Sequence, residues 1–141
     1  MDFDDKALIS AGLDVIETEA KAVSQLAHRL DESFAKACRI IAACKGRLIL
    51  LGMGKSGHVG NKIAATFAST GTPSHFVHPA EASHGDLGMI TANDVIVAIS
   101  NSGETGEILD ILPLIKRLHV PLITLTGNPD SQMANNADIN I

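Results

Sequence analysis

Two short segments of this 141-residue sequence hold the residue types that grip an anion. Gly52-Met53-Gly54-Lys55-Ser56-Gly57 places three glycines around a lysine and a serine. Ser100-Asn101-Ser102-Gly103-Glu104-Thr105-Gly106-Glu107 places three hydroxyls within six residues. A phosphate monoester presents three terminal oxygens and asks for many donors. Glycine lets backbone N–H groups come close to such an oxygen, and hydroxyls donate without adding net charge. Capping a helix takes one hydroxyl, so three at one turn point past capping to a phosphate. Gly54, Ser56, Ser100, Ser102 and Thr105 are therefore the expected phosphate-binding residues. A third segment, Pro79-Ala80-Glu81-Ala82-Ser83-His84-Gly85-Asp86-Leu87-Gly88, sets a histidine in a glycine- and acid-rich loop, and His84 is expected to serve the same site.

Two nucleotide readings fail on spacing. The first segment fits G-x-G-x-x-G between a strand and a helix. A dinucleotide fold then wants an acid at the end of the second strand, about 20 residues on. His78-Pro79 stands there, with Glu81 only after the turn. The Lys55-Ser56 pair suggests a triphosphate loop, but that motif needs a glycine where Ile49 stands. Metal chemistry finds no better support. His75 and His78 differ by an odd offset and point to opposite faces of a strand, so they do not form a tetrahedral set. No metal is expected to be required, although a transition metal landing near His84 could inhibit. No cofactor is expected.

These loops meet only if strands and helices bring them to one edge. From Arg47 the sequence alternates short continuous apolar runs with helical stretches. The runs are 47–52, 74–78, 94–100, 120–126 and 137–141; the helices are 57–70, 106–118 and 130–135. Continuous apolar strands are those buried on both faces of a parallel sheet, and the alternation predicts a doubly wound α/β fold. Its ligand edge lies at the carboxyl ends of the strands, where all three segments fall. Pro113 should kink the helix over 106–118 or restart it. Residues 1–46 read as two helices packing on that domain. Ile9, Leu13, Ile16, Ala20, Val23, Ala27 and Leu30 form one amphipathic stripe, which either covers the sheet or pairs with a second copy. Asp31-Glu32-Ser33 caps a second helix over 34–45. Because the sequence stops inside a strand-like run, it reads as part of a longer protein.

Composition narrows the class. With 45% hydrophobic and 19% charged residues the chain folds as one domain and is not disordered. Eleven Lys and Arg against sixteen Asp and Glu, net charge -5, argue against nucleic acid as a partner. No apolar run spans a membrane, and MDFDDK is no signal peptide. Cys38 and Cys44, six residues apart on one helix, sit too far apart to bridge. Two buried free thiols and a cytoplasmic location are expected.

Taken together, Gly52–Gly57, Ser69-Thr-Gly-Thr-Pro73, His78-Pro-Ala-Glu81, His84-Gly-Asp-Leu-Gly-Met89 and Ser100–Glu104 resemble the sugar isomerase (SIS) domain of the D-arabinose 5-phosphate isomerases. The resemblance runs over essentially the whole chain. It implies a SIS-type αβα sandwich with a five-stranded parallel sheet, a sugar phosphate as ligand and self-association into dimers or tetramers. It also implies interconversion of D-ribulose 5-phosphate and D-arabinose 5-phosphate, the entry to the octulosonate sugar (KDO) of lipopolysaccharide. Lys55, His84 and Glu107 align with residues of that family's active site. In such a reaction Lys55 would polarise the carbonyl oxygen and Glu107 would move the proton, with Glu104 competing for that role. His84 would open the sugar ring or shuttle a hydroxyl proton. The family's subunit continues with more sheet, a Ser-His-Pro-Gly-Gly segment and, in most members, a pair of CBS modules.

Overall fold

The computed structural model describes residues 4–83 and 85–141. The chain divides into two compact units, Met1–Glu32 and Ser33–Ile141.

The first unit is helix α1 (Asp5–Leu26), which runs on as a 3-10 turn over Ala27–Arg29. Asp4 caps it by accepting the Lys6 N–H at 3.1 Å. None of its residues is buried. The predicted stripe is present and open: Ile9, Leu13, Ile16, Val23 and Leu30 are between 56% and 66% exposed.

The second unit takes in α2 (Glu32–Ala42) from its second residue onward, so the second helix groups with the sheet. Ala37, Ile40, Ile41 and Cys44 recur at helical spacing and pack into the core. Cys38 falls off that stripe and is exposed, and Cys44 is half-buried. The expectation of two buried thiols is corrected accordingly, although both are free.

Five parallel strands follow in the order β2-β1-β3-β4-β5. They are β1 (Leu48–Gly52), β2 (Ser74–Val77), β3 (Val95–Ser100), β4 (Leu122–Thr126) and β5 (Ile139–Asn140). Leu48, Ile49, Leu50 and Leu51 of β1 are all 0% exposed, as a central parallel strand covered on both faces requires. Each such side chain contributes about 1.5–3 kcal/mol of transfer free energy. Alternation along the strands divides the core in two. Ile49, Leu51, Ile96 and Ala98 face α5 (Gly106–Arg117) and Met133 of α6 (Gln132–Asn136). Leu48, Leu50, Val97 and Ile123 face α2 and α3 (Gly54–Ser69). The architecture is the expected doubly wound α/β sandwich.

Three local differences from the sequence expectation bear on the ligand edge. Helix α3 starts at Gly54, three residues earlier than the spacing suggested, so Lys55 and Ser56 lie in its first turn. The segment after β2 is not a plain loop: it holds α4 (Pro79–Ser83) and a 3-10 turn over Asp86–Met89. Helix α5 runs through Pro113 as one element; Pro113 is exposed, so water can take the carbonyl that proline leaves without an N–H donor.

Candidate functional site

The chain leaves β1 toward β2 on one side and later enters β3 on the other. The strand order therefore reverses at β1, and the crevice between the carboxyl ends of β1 and β3 is the switch point where open α/β sheets bind ligands. Gly52 is in register with Ile99, so the turns that follow the two strands leave the sheet at the same level.

The first turn is shaped by glycines. Gly54 has φ +52°, which favours glycine. Gly52 and Gly57 touch each other's backbone: a Cβ on Gly52 would lie 2.8 Å from the Ser56 carbonyl carbon and oxygen, and one on Gly57 would lie 2.8 Å from the Gly52 oxygen. This closeness turns the chain from strand to helix within two residues. Met53 stands at the N-cap of α3 and makes no side-chain cap bond. The second turn repeats the design. Gly103 has φ +67°, and Thr105 stands at the N-cap of α5 without capping it. The Thr105 hydroxyl lies 2.7 Å from Ser100 Oγ instead, and Ser102 Oγ lies 3.4 Å from Ser100 Oγ. Ser100 is 3% exposed.

Three hydroxyls thus converge under α5, and two helix N-termini of opposite faces open onto one crevice without a capping side chain. Two other helices are capped: Asp4 accepts from Lys6 on α1, and Ser131 accepts from Ala134 on α6. Helix N–H groups left open are the donors an anion uses. The alternative of ordinary helix capping by Thr105 is set aside by this geometry. Ser102 does accept a backbone N–H, that of Glu104 at 3.2 Å, which caps the turn rather than the helix.

Around this cradle, Lys55 is exposed in the first turn of α3, and Ser56 beside it is half-buried. Glu107 is exposed in the first turn of α5. Glu104 is engaged elsewhere: its two oxygens accept the backbone N–H and the side-chain Nε2 of Gln132, each at 2.7 Å. His84 lies outside the described residues. No group of three or more His, Cys, Asp or Glu among the described residues is placed to hold a metal ion.

Sequence reasoning passed over one feature beside the first turn. Gly54, Gly57, His58 and Asn61 line a cleft of about 290 Å³ together with Phe76 and His78. His75 and His78 do diverge: His75 pairs across to Ile49 on the α5 face, while His78 lines the cleft. Positions 54, 57, 58 and 61 follow the spacing of one helical face, a signal that was present once α3 is started at Gly54.

The fold and this site define a class. Residues 40–141 match the SIS domain family, and the chain belongs to it. Over 126 residues it is 61% identical to an arabinose 5-phosphate isomerase KdsD of Pseudomonas aeruginosa, covering 89% of this chain and 39% of that protein. Over 131 residues it is 55% identical to the protein of the same name from Shigella flexneri, covering 93% and 40%. The chain thus spans about two-fifths of the length of these curated relatives. An Escherichia coli CFT073 protein solved in complex with arabinose 5-phosphate matches with TM-score 0.93 at 42% identity, over 99% of this chain and 74% of that one.

Proposed function

We propose that this chain is the phosphosugar-binding part of an aldose–ketose isomerase that interconverts D-arabinose 5-phosphate and D-ribulose 5-phosphate, on the route to KDO. The observation that carries the reading is the convergence of Ser100, Ser102 and Thr105 at the uncapped N-terminus of α5, which follows the strand next to the one that leads into the uncapped N-terminus of α3. The names of the relatives support it and suggest the sugar.

The chemistry follows from that grip. Gly54, Ser56, Ser100, Ser102 and Thr105 hold the phosphate, which positions the reacting end at a distance. Glu107 takes the proton from C2 of the aldose and returns one to C1, so a cis-enediol forms between. Lys55 offers its ammonium to the oxygen on which negative charge develops. His84 opens the ring or carries the hydroxyl proton. The test is a coupled isomerase assay on the full-length protein that carries this chain, with arabinose 5-phosphate and ribulose 5-phosphate. Turnover in both directions is expected. Binding of the sugar phosphate without turnover would instead leave a sensor of phosphosugars.

The reading includes pairing of two copies through α1. Its apolar side chains are uncovered within the unit. Asp4 and Asp5 lie at one end, and His28 and Arg29 at the far end, so an antiparallel copy sets acids against bases. Light scattering should give a dimer or larger, and Leu13→Lys with Ile16→Lys should reduce it to monomer. A monomeric parent chain would remove α1 as a seam.

A further inference from the structure

The Ser100–Gly106 turn has an inner side and an outer side. The inner side carries the three hydroxyls. The outer side is fastened to the segment that runs from β4 into α6. Gly127 N donates to Asn101 O at 2.9 Å, and Met133 N donates to Gly103 O at 3.1 Å. A Cβ on Gly103 would overlap Ser131 Oγ, so the two segments are in close contact. The remaining fastening is a side chain: Glu104, whose two oxygens both accept from Gln132.

We infer that Glu104 is a positioning residue that latches the phosphate turn to α6. The inference rests on the phosphate reading of that turn, and it separates Glu104 from Glu107. Both Glu104 oxygens accept from Gln132, which holds the carboxylate on the α6 side of the turn, whereas Glu107 has no such partner among the described residues. Its backbone N–H meanwhile donates to Ser102 Oγ. Fixing the carboxylate fixes that N–H, and the N–H holds Ser102 Oγ in place as part of the hydroxyl cluster. The same latch turns one negative charge away from an incoming phosphate.

The chemistry of the pair supplies the decisive variant. In Glu104→Gln, Oε1 can still accept the Gln132 N–H. Its new Nε2 can donate to Gln132 Oε1 once the Gln132 amide turns over. Both hydrogen bonds survive while the carboxylate is lost. Glu104→Ala loses both, and Gln132→Ala loses one. The experiment measures kcat and KM for arabinose 5-phosphate in the full-length protein, and backbone amide exchange over residues 103–106. Glu104→Gln should keep kcat and KM within about threefold of the parent. Glu104→Ala should raise KM about tenfold, the equal of one charge-assisted hydrogen bond, with kcat nearly unchanged and faster exchange in the turn. Gln132→Ala should fall between. The melting temperature should barely move, because an exposed pair adds little to global stability.

A fall in kcat of a hundredfold or more in Glu104→Gln would make Glu104 the proton carrier and overturn the latch. Unchanged KM and unchanged amide exchange in Glu104→Ala would overturn it as well. If the parent protein neither binds nor turns over the sugar phosphate, the functional reading fails, and the exchange rates still decide whether the latch holds the turn.

Discussion

The two ends of the sheet treat their buried polar groups in opposite ways. At the amino end Asp94, 1% exposed, accepts the Arg47 N–H at 2.6 Å, the Thr91 N–H at 2.7 Å and the Thr91 hydroxyl at 3.1 Å. The Arg47 guanidinium stands 3.5 Å away and also donates to the Met89 carbonyl. Charge and hydrogen bonds close on themselves there. At the carboxyl end Ser100 is buried almost as deeply, yet its side-chain neighbours are other hydroxyls. Three hydroxyls carry three hydrogens, and the two contacts among them use at most two. At least one donor is left for an oxygen from outside. The closed network contributes stability, and the open one keeps its capacity for a ligand.

The comparison is broken most sharply by separating activity from stability. Glu107→Gln at the carboxyl end should lower kcat by about a hundredfold or more, the low end of what a general base supplies. The melting temperature should stay near that of the parent. Lys55→Ala should lower kcat more than it raises KM if, as proposed, the ammonium acts on charge that develops in the transition state. A rise in KM alone would make Lys55 a ground-state binder.

The mirror experiment is Asp94→Ala. It removes the acceptor of the half-buried Arg47 N–H and of the Thr91 N–H and hydroxyl and should cost about 1–3 kcal/mol of stability by urea unfolding. Affinity for arabinose 5-phosphate in the surviving folded fraction should be unchanged. Loss of affinity in proportion to stability would mean that the two ends are one network. Of similar size is Ser102→Ala, which should weaken phosphosugar binding by about 1–3 kcal/mol and leave unfolding unaltered. Unchanged affinity would remove Ser102 from the cradle.

The carboxyl end was legible in the sequence because its chemistry is written in local spacing. Glycines and hydroxyls within six residues mark a strand-to-helix turn whatever packs around it. The sheet was legible for a similar reason: Leu48–Leu51 is a continuous apolar run, and such runs are buried on both faces. The amino end was not legible. Arg47 and Asp94 are 47 residues apart, and a charged residue at the start of a strand looks like an ordinary turn. Glu104 was ambiguous because its partner, Gln132, lies 28 residues away in a short helix. The start of α3 was not legible because Gly54 and Lys55 read as loop, whereas a positive φ at Gly54 lets the helix begin there. Long-range pairing of polar side chains leaves no periodic trace, whereas burial and turn chemistry do.

The smallest expected effect is a pH dependence that belongs to the amino end alone. His75 faces the α5 side of the sheet, and its Nε2 lies 3.3 Å from Met89 Sδ. Burial holds its pKa below the ordinary 6.5, the Arg47 guanidinium lowers it further, and the Asp94 carboxylate opposes both. The folded state therefore favours the neutral ring. Below pH 6.5 the unfolded chain takes up a proton that folded His75 still resists, so stability falls as pH drops from 6.5 through the lowered folded value. Asp94 follows in a second, more acidic window. Burial pushes its carboxyl up, but the hydrogen bonds from Thr91 and Arg47 outweigh that and hold it below its ordinary 3.8. Its contribution is complete above that value and is lost as pH falls through the folded one. Urea midpoints between pH 8 and pH 5 should decline less steeply in His75→Gln than in the parent. The phosphosugar affinity of the variant should stay at the parent's value across the same range. An identical decline in both proteins would show that His75 titrates alike folded and unfolded. A change in affinity would show that protonation at the amino end reaches the cradle, and the division between a closed end and an open end would no longer hold.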